Sequence, residues 1–359
     1  MTLLLNYRPV IHQPTGIGVY ANAVLPYLLD LPHELIPGGA VGGFQHRMRR
    51  FLWTQTRLKS VAARLGASLI FTPAPEGYLG QQTCPQVVMV HDLRPLSHPA
   101  HRPTFQGLYF QFWVPALLDH CLHILTNSEF TAQQIAHFVG IPRKRISVVP
   151  LGYDTVMFTP SDAISSLAYG RYFLHVGQAY PHKNIVRLLH AFAPVASAFS
   201  DLNLLLVGKP HPTETPHHQR LVAQLGLVGR VHFLPYVPRH QLPELYRNSI
   251  ALVYPSLSEG FGLPVLEAMG CGTPVITALG SATEEISGDA AILVDPTDTA
   301  ALEWSMHSVL INAELRDQCR DRGLLRASLF DWQRTGLATT AVLKKLLLGE
   351  QPELSKTPC

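Results

Sequence analysis

The sequence predicts an α/β protein built from two Rossmann-like halves. Three observations predict it. A chain of 359 residues with 47% hydrophobic content is long enough for two core-bearing domains. Short apolar runs bounded by turn residues alternate with amphipathic stretches, as in parallel strands joined by helices. Around Glu259 the order strand, loop, helix, strand can be read directly. Ala251–Tyr254 reads as a buried strand, Gly260, Gly262 and Pro264 break any continuous helix, Gly270 stops the short helix that follows, and residues 274–278 read as the next strand.

The first half is expected to span residues 1–153. Near its start, residues 15–21 formally match G-x-G-x-x-A, but residues 12–15 intervene after the strand and no ribose-binding acid follows at the dehydrogenase spacing. Gly16 and Gly18 therefore read as a mobile loop over a diphosphate or an acceptor. Residues 44–65 carry Phe44, Met48, Phe51, Leu58, Ala62 and Leu65 at helical spacing with Arg47, Arg50, Arg57 and Arg64 beside them. This predicts a helix that lies on anionic lipid headgroups, packs its apolar face on the first half, or does both. Further on, Val87–Val90 reads as a buried strand that delivers His91 and Asp92 at its carboxyl end. His91 then points into a ligand cleft, while Asp92 either orients His91 or caps the next turn.

Residues 154–170 read as a linker and 171–331 as the second half, which opens on the strand Tyr172–Val176. The turn Gly177–Asn184 follows that strand and precedes a helix, so Lys183 is expected to face a ligand. A cation there would neutralise the charge growing on a departing diphosphate. Residues 332–349 form an amphipathic stretch, and residues 350–359 a loose tail.

The segment Glu259–Glu267 carries the most chemistry. Pro264 suits the first turn of a helix, so Glu259 lies on the turn and Glu267 on the helix. The amides of Phe261, Gly262 and Leu263 at the helix start then form an anion site suited to a pyrophosphate. Sugar and ribose hydroxyls are uncharged donors that carboxylates bind strongly, so two glutamates can grip both ends of a sugar attached to a diphosphate. Substitution of Glu259 or Lys183 by alanine is expected to cut activity without unfolding the chain, because both residues read as lying outside the cores.

Pro255–Glu267 with the following Ala-Met-Gly-Cys-Gly-Thr-Pro-Val-Ile resembles the E-x7-E signature of retaining GT-B glycosyltransferases, family 4. Residues 280–296 are similar to the segment that follows in members like the bacterial O-antigen mannosyltransferases. Residues 177–184, 205–209 and 233–237, with Tyr236 among them, fall where that group's donor-domain motifs fall. The resemblance implies a GT-B architecture of two Rossmann-like domains facing across a cleft, with helix 332–349 crossing back onto the first domain. It implies transfer from a nucleotide sugar, by subgroup GDP-mannose, to a hydroxyl of a glycan or polyprenyl-linked acceptor, with retention at the anomeric carbon. By the same resemblance Glu259 holds sugar hydroxyls, His91 contacts the transferred sugar, Glu267 takes the ribose diol, and Lys183 with the helix start stabilises the leaving group. His182 and Gln178 occupy positions where family members commonly carry arginines, and His182 is expected to hydrogen-bond phosphate.

Other classes are weighed against this reading. No D-x-D points to a metal-dependent GT-A transferase, the scattered histidines form no metal motif, and no metal or further cofactor is expected. Five dispersed cysteines without C-x-x-C fit reduced thiols. The net charge is +3, with the excess in the first half, and nothing interleaves basic and aromatic residues as nucleic-acid binding would. No apolar run reaches about 18 residues and no signal peptide is evident, so a cytoplasmic protein is expected, peripheral on the membrane if helix 44–65 docks there. A non-hydrolysing nucleotide-sugar epimerase and a non-catalytic sugar-nucleotide scaffold remain the alternatives.

Overall fold

The computed structural model describes every residue except 11–15, 40–43, 82, 98–106, 162–168, 236 and 352–359. The chain forms two compact units, Met1–Gly152 together with Trp332–Cys359, and Tyr153–Asp331.

The first unit contains a six-stranded sheet of β1 (Thr2–Asn6), β2 (His33–Ile36), β3 (Ala67–Thr72), β4 (Gln86–Val90), β5 (His123–Thr126) and β6 (Ile146–Val148). Its order is β2-β1-β3-β4-β5-β6 and every pairing is parallel. Parallel strands are covered on both faces, which is why Leu3–Leu5 and Val87–Val90 are continuous apolar runs rather than alternating ones.

The predicted N-terminal glycine loop is corrected. Gly16 and Gly18 lie in the first turn of helix Gly16–Leu28, whose Tyr20, Ala21, Val24 and Leu28 are buried. That stripe pulls the segment onto the sheet, and glycine costs little in a first turn. The residues just before it, 11–15, lie outside the described ones.

Helix Phe44–Arg64 covers the sheet with Leu58 and Ala62, joined by the buried Thr54. Leu65 falls just past its end, and the side chain of Phe44 lies outside the described residues. Phe51 makes edge contacts with Tyr109 and Trp113 at centroid distances of 6.1 and 4.7 Å. Arg50 forms a two-pronged bond to Glu76, at 2.8 Å from Nε to Oε2 and 2.5 Å from Nη2 to Oε1. Arg47, Arg49, Arg57 and Arg64 are exposed, and the helix has no acidic residue.

Helix Trp332–Leu347 packs against helix Gly16–Leu28 within the first unit. Its Gly336 faces the ring of Tyr27 so closely that a Cβ would overlap ring atoms. Hydroxyls tie it down: Thr340 Oγ1 donates to the Tyr27 carbonyl at 3.2 Å, and Thr335 Oγ1 to the Pro150 carbonyl at 2.8 Å.

The second unit repeats the plan with β7 (Arg171–Val176), β8 (Leu202–Val207), β9 (Val231–Leu234), β10 (Leu252–Tyr254), β11 (Val275–Ala278) and β12 (Ile292–Val294). The order is β12-β11-β10-β7-β8-β9, again parallel throughout. Successive strands run outward from β7 to β9, and the chain then returns to lay β10 on the other side of β7, with Leu252 opposite Leu174. The loops leaving β7 and β10 therefore diverge at a topological switch point, where open α/β sheets bind ligands. The core beneath comprises Phe173, Leu204, Val253 and Ile276 from the strands, with Leu188, Phe192, Met306 and Val309 from the helices. Phe158, read as linker, is buried against Tyr246 at a centroid distance of 5.9 Å.

Candidate functional site

The loop after β7 ends in a single 3-10 turn, Pro181–Lys183, which precedes helix Ile185–Ala198. Asn184 joins them in the left-handed region, φ 59° and ψ 33°, a conformation that asparagine tolerates better than most residues. Its side-chain amide donates to the Pro255 carbonyl at 3.1 Å and to the Pro296 carbonyl at 2.6 Å. The Leu257 amide donates to the His182 carbonyl at 2.8 Å. These bonds staple the turn after β7 to the loop after β10, and the staple brings Lys183 to Glu259.

Lys183 Nζ donates to Glu259 Oε1 at 2.6 Å and to Tyr254 Oη at 2.5 Å. Burial alone would raise the Glu259 carboxyl, but the adjacent ammonium holds it at about 2. Burial alone would lower Lys183, but Glu259 and Tyr254 push it up to about 12. Both groups are therefore ionised across the physiological range. An ammonium has three N–H donors, and two are engaged here. The third is the one that an incoming anion can take.

The expectation that these two residues stand outside the cores is corrected, since Lys183 is 9% and Glu259 8% exposed. Each charge is tolerated there only because the other is present.

Beyond Glu259 the loop turns through Gly262, at φ 106° and ψ 52°, and starts helix Leu263–Gly270 with Pro264 in its first turn. A Cβ on Gly262 would lie 2.8 Å from Thr283 Cγ2, so the turn needs glycine for both its torsion and its space. Among the described residues, the amides of Phe261, Gly262 and Leu263 have no hydrogen-bond acceptor. The Phe261 side chain is buried against Phe330, centroids 6.4 Å apart.

Glu267, on this helix, accepts from Tyr246 Oη at 3.1 Å and stands 3.8 Å from the Arg239 guanidinium. Burial raises its carboxyl, opposed by Arg239 and Tyr246. His182 is buried, with its ring stacked on Tyr180 at 5.8 Å and 23°. Tyr236 lies outside the described residues.

In the first unit, His91 follows β4. Its Nε2 lies 3.1 Å from the Pro73 carbonyl, so Nε2 carries the hydrogen. Its ring meets Tyr20 edge-on at 5.1 Å. Burial pushes the imidazole down to about 4 against the Pro73 bond and Asp92, so it is neutral near pH 7. Asp92 accepts from the Arg94 amide at 3.2 Å and caps the turn Arg94–Ser97. Gly16 is exposed and Gly18 buried on the helix that follows β1.

The structure thus groups Lys183 with Glu259, and the helix start Phe261–Leu263 with Glu267 on the same short helix. Sequence reasoning missed Tyr254, His175, Tyr246 and Arg239. Tyr254 ends the strand that had been read as a plain apolar run. Its one visible signal was a phenol placed five residues before Glu259. Among the described residues no group of three or more His, Cys, Asp or Glu is placed to hold a metal ion. Cys84, Cys121, Cys271 and Cys319 are free and buried.

Two family models match the chain, "Glycosyltransferase Family 4" over residues 14–156 and "Glycosyl transferases group 1" over residues 166–326. The O-antigen chain mannosyltransferase B of Escherichia coli is 30% identical over 279 residues, 76% of this chain and 73% of that protein. An O-antigen chain mannosyltransferase of Salmonella typhimurium is 35% identical over 229 residues, 64% of this chain and 61% of that protein. Among solved structures, the Anabaena protein HepE in complex with UDP-glucose superposes with a TM-score of 0.75 at 18% identity, covering 96% of this chain and 100% of that one. At that identity the likeness speaks for the fold. The chain belongs to the family 4, group 1 glycosyltransferases, and its two parallel six-stranded sheets are those of the GT-B fold.

Proposed function

We propose that the protein transfers mannose from GDP-mannose to a hydroxyl of a glycan or polyprenyl-linked acceptor in polysaccharide synthesis, with retention at the anomeric carbon and without a metal ion. The observation that carries this reading is the buried Lys183–Glu259 pair at the β7/β10 switch point, close in sequence to the three open amides of Phe261, Gly262 and Leu263. Mannose as the sugar is supported by the two mannosyltransferase relatives. A nucleotide donor is supported by the UDP-glucose bound to the structural neighbour.

In this reading the bond between the anomeric carbon and the diphosphate oxygen breaks. The acceptor oxygen bonds to that carbon, and the acceptor proton passes to the departing diphosphate. Lys183 and the helix-start amides take the charge that develops on the leaving group, in a setting where no reorganisation is needed. Glu259 has one carboxylate oxygen on Lys183 and offers the other to sugar hydroxyls. Glu267 takes the ribose diol. His91, neutral and with Nε2 committed to Pro73, presents Nδ1 to the transferred sugar. His182 adds a donor for phosphate, and Gly16 and Gly18 present the start of their helix to the diphosphate or acceptor.

The protein works in the cytoplasm in this reading, and docks on anionic lipid through the exposed arginines of Phe44–Arg64, where a lipid-linked acceptor is held. Among the described residues no helix is long and apolar enough to cross a membrane.

The test is incubation of the purified protein with GDP-, UDP-, dTDP- and ADP-sugars in EDTA, with lipid-linked and free glycan acceptors, and product analysis by NMR. An α-mannosyl product from GDP-mannose alone is the expected result. Epimerised donor without acceptor would establish the epimerase alternative instead. Binding of a donor with no product from any acceptor would point to a scaffold.

A further inference from the structure

Tyr254 closes β10 with its ring 1% exposed. Its oxygen lies 2.5 Å from Lys183 Nζ, while that nitrogen is 4.7 Å from the ring centroid. The ammonium thus stands at the phenol oxygen rather than over the ring face, and the contact is a hydrogen bond in kind rather than a cation–π one. The phenol oxygen is therefore an acceptor for the ammonium. Lys183 thus donates twice, once to the Glu259 carboxylate and once to the Tyr254 oxygen.

Behind the phenol stands His175, fully buried on β7, with its ring stacked on that of Tyr254 at 5.7 Å and 21°. His175 Nδ1 lies 2.9 Å from the Val253 carbonyl. A carbonyl can only accept, so Nδ1 carries the hydrogen and the imidazole is locked in one tautomer. The strand before the loop and the strand beside it thus fix the plane of the phenol.

Lysine has a flexible four-carbon stem and a point charge without directional preference. A carboxylate alone leaves such an ammonium free to pivot about one oxygen, whereas a second acceptor on a rigid ring removes that freedom.

We propose that Tyr254, held by His175, is a positioning residue that fixes the Lys183 ammonium beside Glu259 so that its third N–H points at the leaving diphosphate. This rests on the transferase reading above, but its test does not depend on that reading alone. Tyr254→Phe keeps the stacked ring and removes only the oxygen.

In the transfer assay, Tyr254→Phe is expected to lower kcat by about tenfold or more, with a smaller rise in KM for the donor, because leaving-group stabilisation acts in the transition state. Its melting temperature should stay within a few degrees of the parent. A kcat within about twofold of the parent would overturn the assignment. The second measurement needs no donor: acylation of Lys183 in the intact protein at fixed alkaline pH, read by peptide mass spectrometry. Loss of the phenol oxygen should raise Lys183 reactivity several-fold, since Tyr254 helps to hold the amine protonated. Unchanged reactivity would overturn the positioning role even if no sugar donor is ever turned over. If the parent protein transfers nothing but Lys183 becomes reactive in the variant, the transferase reading falls and the hold of Tyr254 on Lys183 stands.

Discussion

Lys183 Nζ and Glu259 Oε1 are 2.6 Å apart, with their side chains 11% and 10% exposed. They belong to loops 76 residues apart in sequence, and the fold makes them one unit.

Removing either partner strands a buried charge, which costs about 3–5 kcal/mol, whereas replacing both with apolar side chains is often close to neutral. Lys183→Met and Glu259→Leu should therefore each lower the urea midpoint clearly, and the double variant should recover most of that loss. All three should lack transfer activity. Additive losses in the double variant would show that the pair does not act as a unit.

Acid should destabilise the protein in two stages. His91, His123, His175 and His218 are each pushed down to about 4 by burial, from an ordinary 6.5. The unfolded chain takes up these protons first, so stability present above pH 6.5 is lost as pH falls towards 4. Glu259, held at about 2 against an ordinary 4.5, adds a second loss as pH falls below 4.5. Urea unfolding at a series of pH values checks this, and a midpoint that rises between pH 7 and 5 would contradict the neutral buried histidines.

Gly262→Ala should destabilise by about 1–3 kcal/mol from its left-handed backbone and weaken nucleoside diphosphate binding by displacing the amides beside it. Combining it with Thr283→Ser removes the Cγ2 that the new methyl meets at 2.8 Å. That combination should recover the steric part of the loss and leave the torsional part. Calorimetric titration with GDP, together with unfolding curves, separates the two.

Gly336→Ala improves helix propensity by about 1 kcal/mol, but the methyl would enter the Tyr27 ring. Overpacking typically costs 1–3 kcal/mol, so a net loss is expected. In a Tyr27→Ala background the same substitution should become neutral or stabilising. A stabilised single variant would mean that the two helices are not in this contact.

If helix Phe44–Arg64 docks on membranes, the protein should sediment with anionic vesicles at low salt and be released as salt rises. Each basic residue near such a surface contributes about 1 kcal/mol, so changing Arg49, Arg57 and Arg64 together to Gln should abolish sedimentation without altering the fold. Equal binding to neutral vesicles would argue for apolar insertion instead.

The sequence by itself determined the elements that depend on local chemistry. The strand–loop–helix–strand unit around Glu259 follows from Gly260, Gly262 and Pro264 and from the apolar runs on either side, because torsional restriction and hydrophobic periodicity act within a few residues. The placement of Glu259 on a loop and Glu267 on a helix is legible in the same way. Only the tertiary structure decided which groups meet. The order β12-β11-β10-β7-β8-β9 puts the ends of β7 and β10 side by side, and Asn184 staples their loops. Lys183 is thereby spent partly on Glu259 and Tyr254, and a residue that reads as lying outside the cores, facing a ligand, becomes buried. The N-terminal glycines went the other way. Their G-x-G pattern suggested a loop, but the buried stripe Tyr20, Ala21, Val24 and Leu28 gains more from packing on the sheet than two first-turn glycines lose by becoming helical. Tyr254 and His175 gave little local sign of their role, because hydrogen bonding and stacking between separate strands are set by register, and register is a property of the assembled sheet.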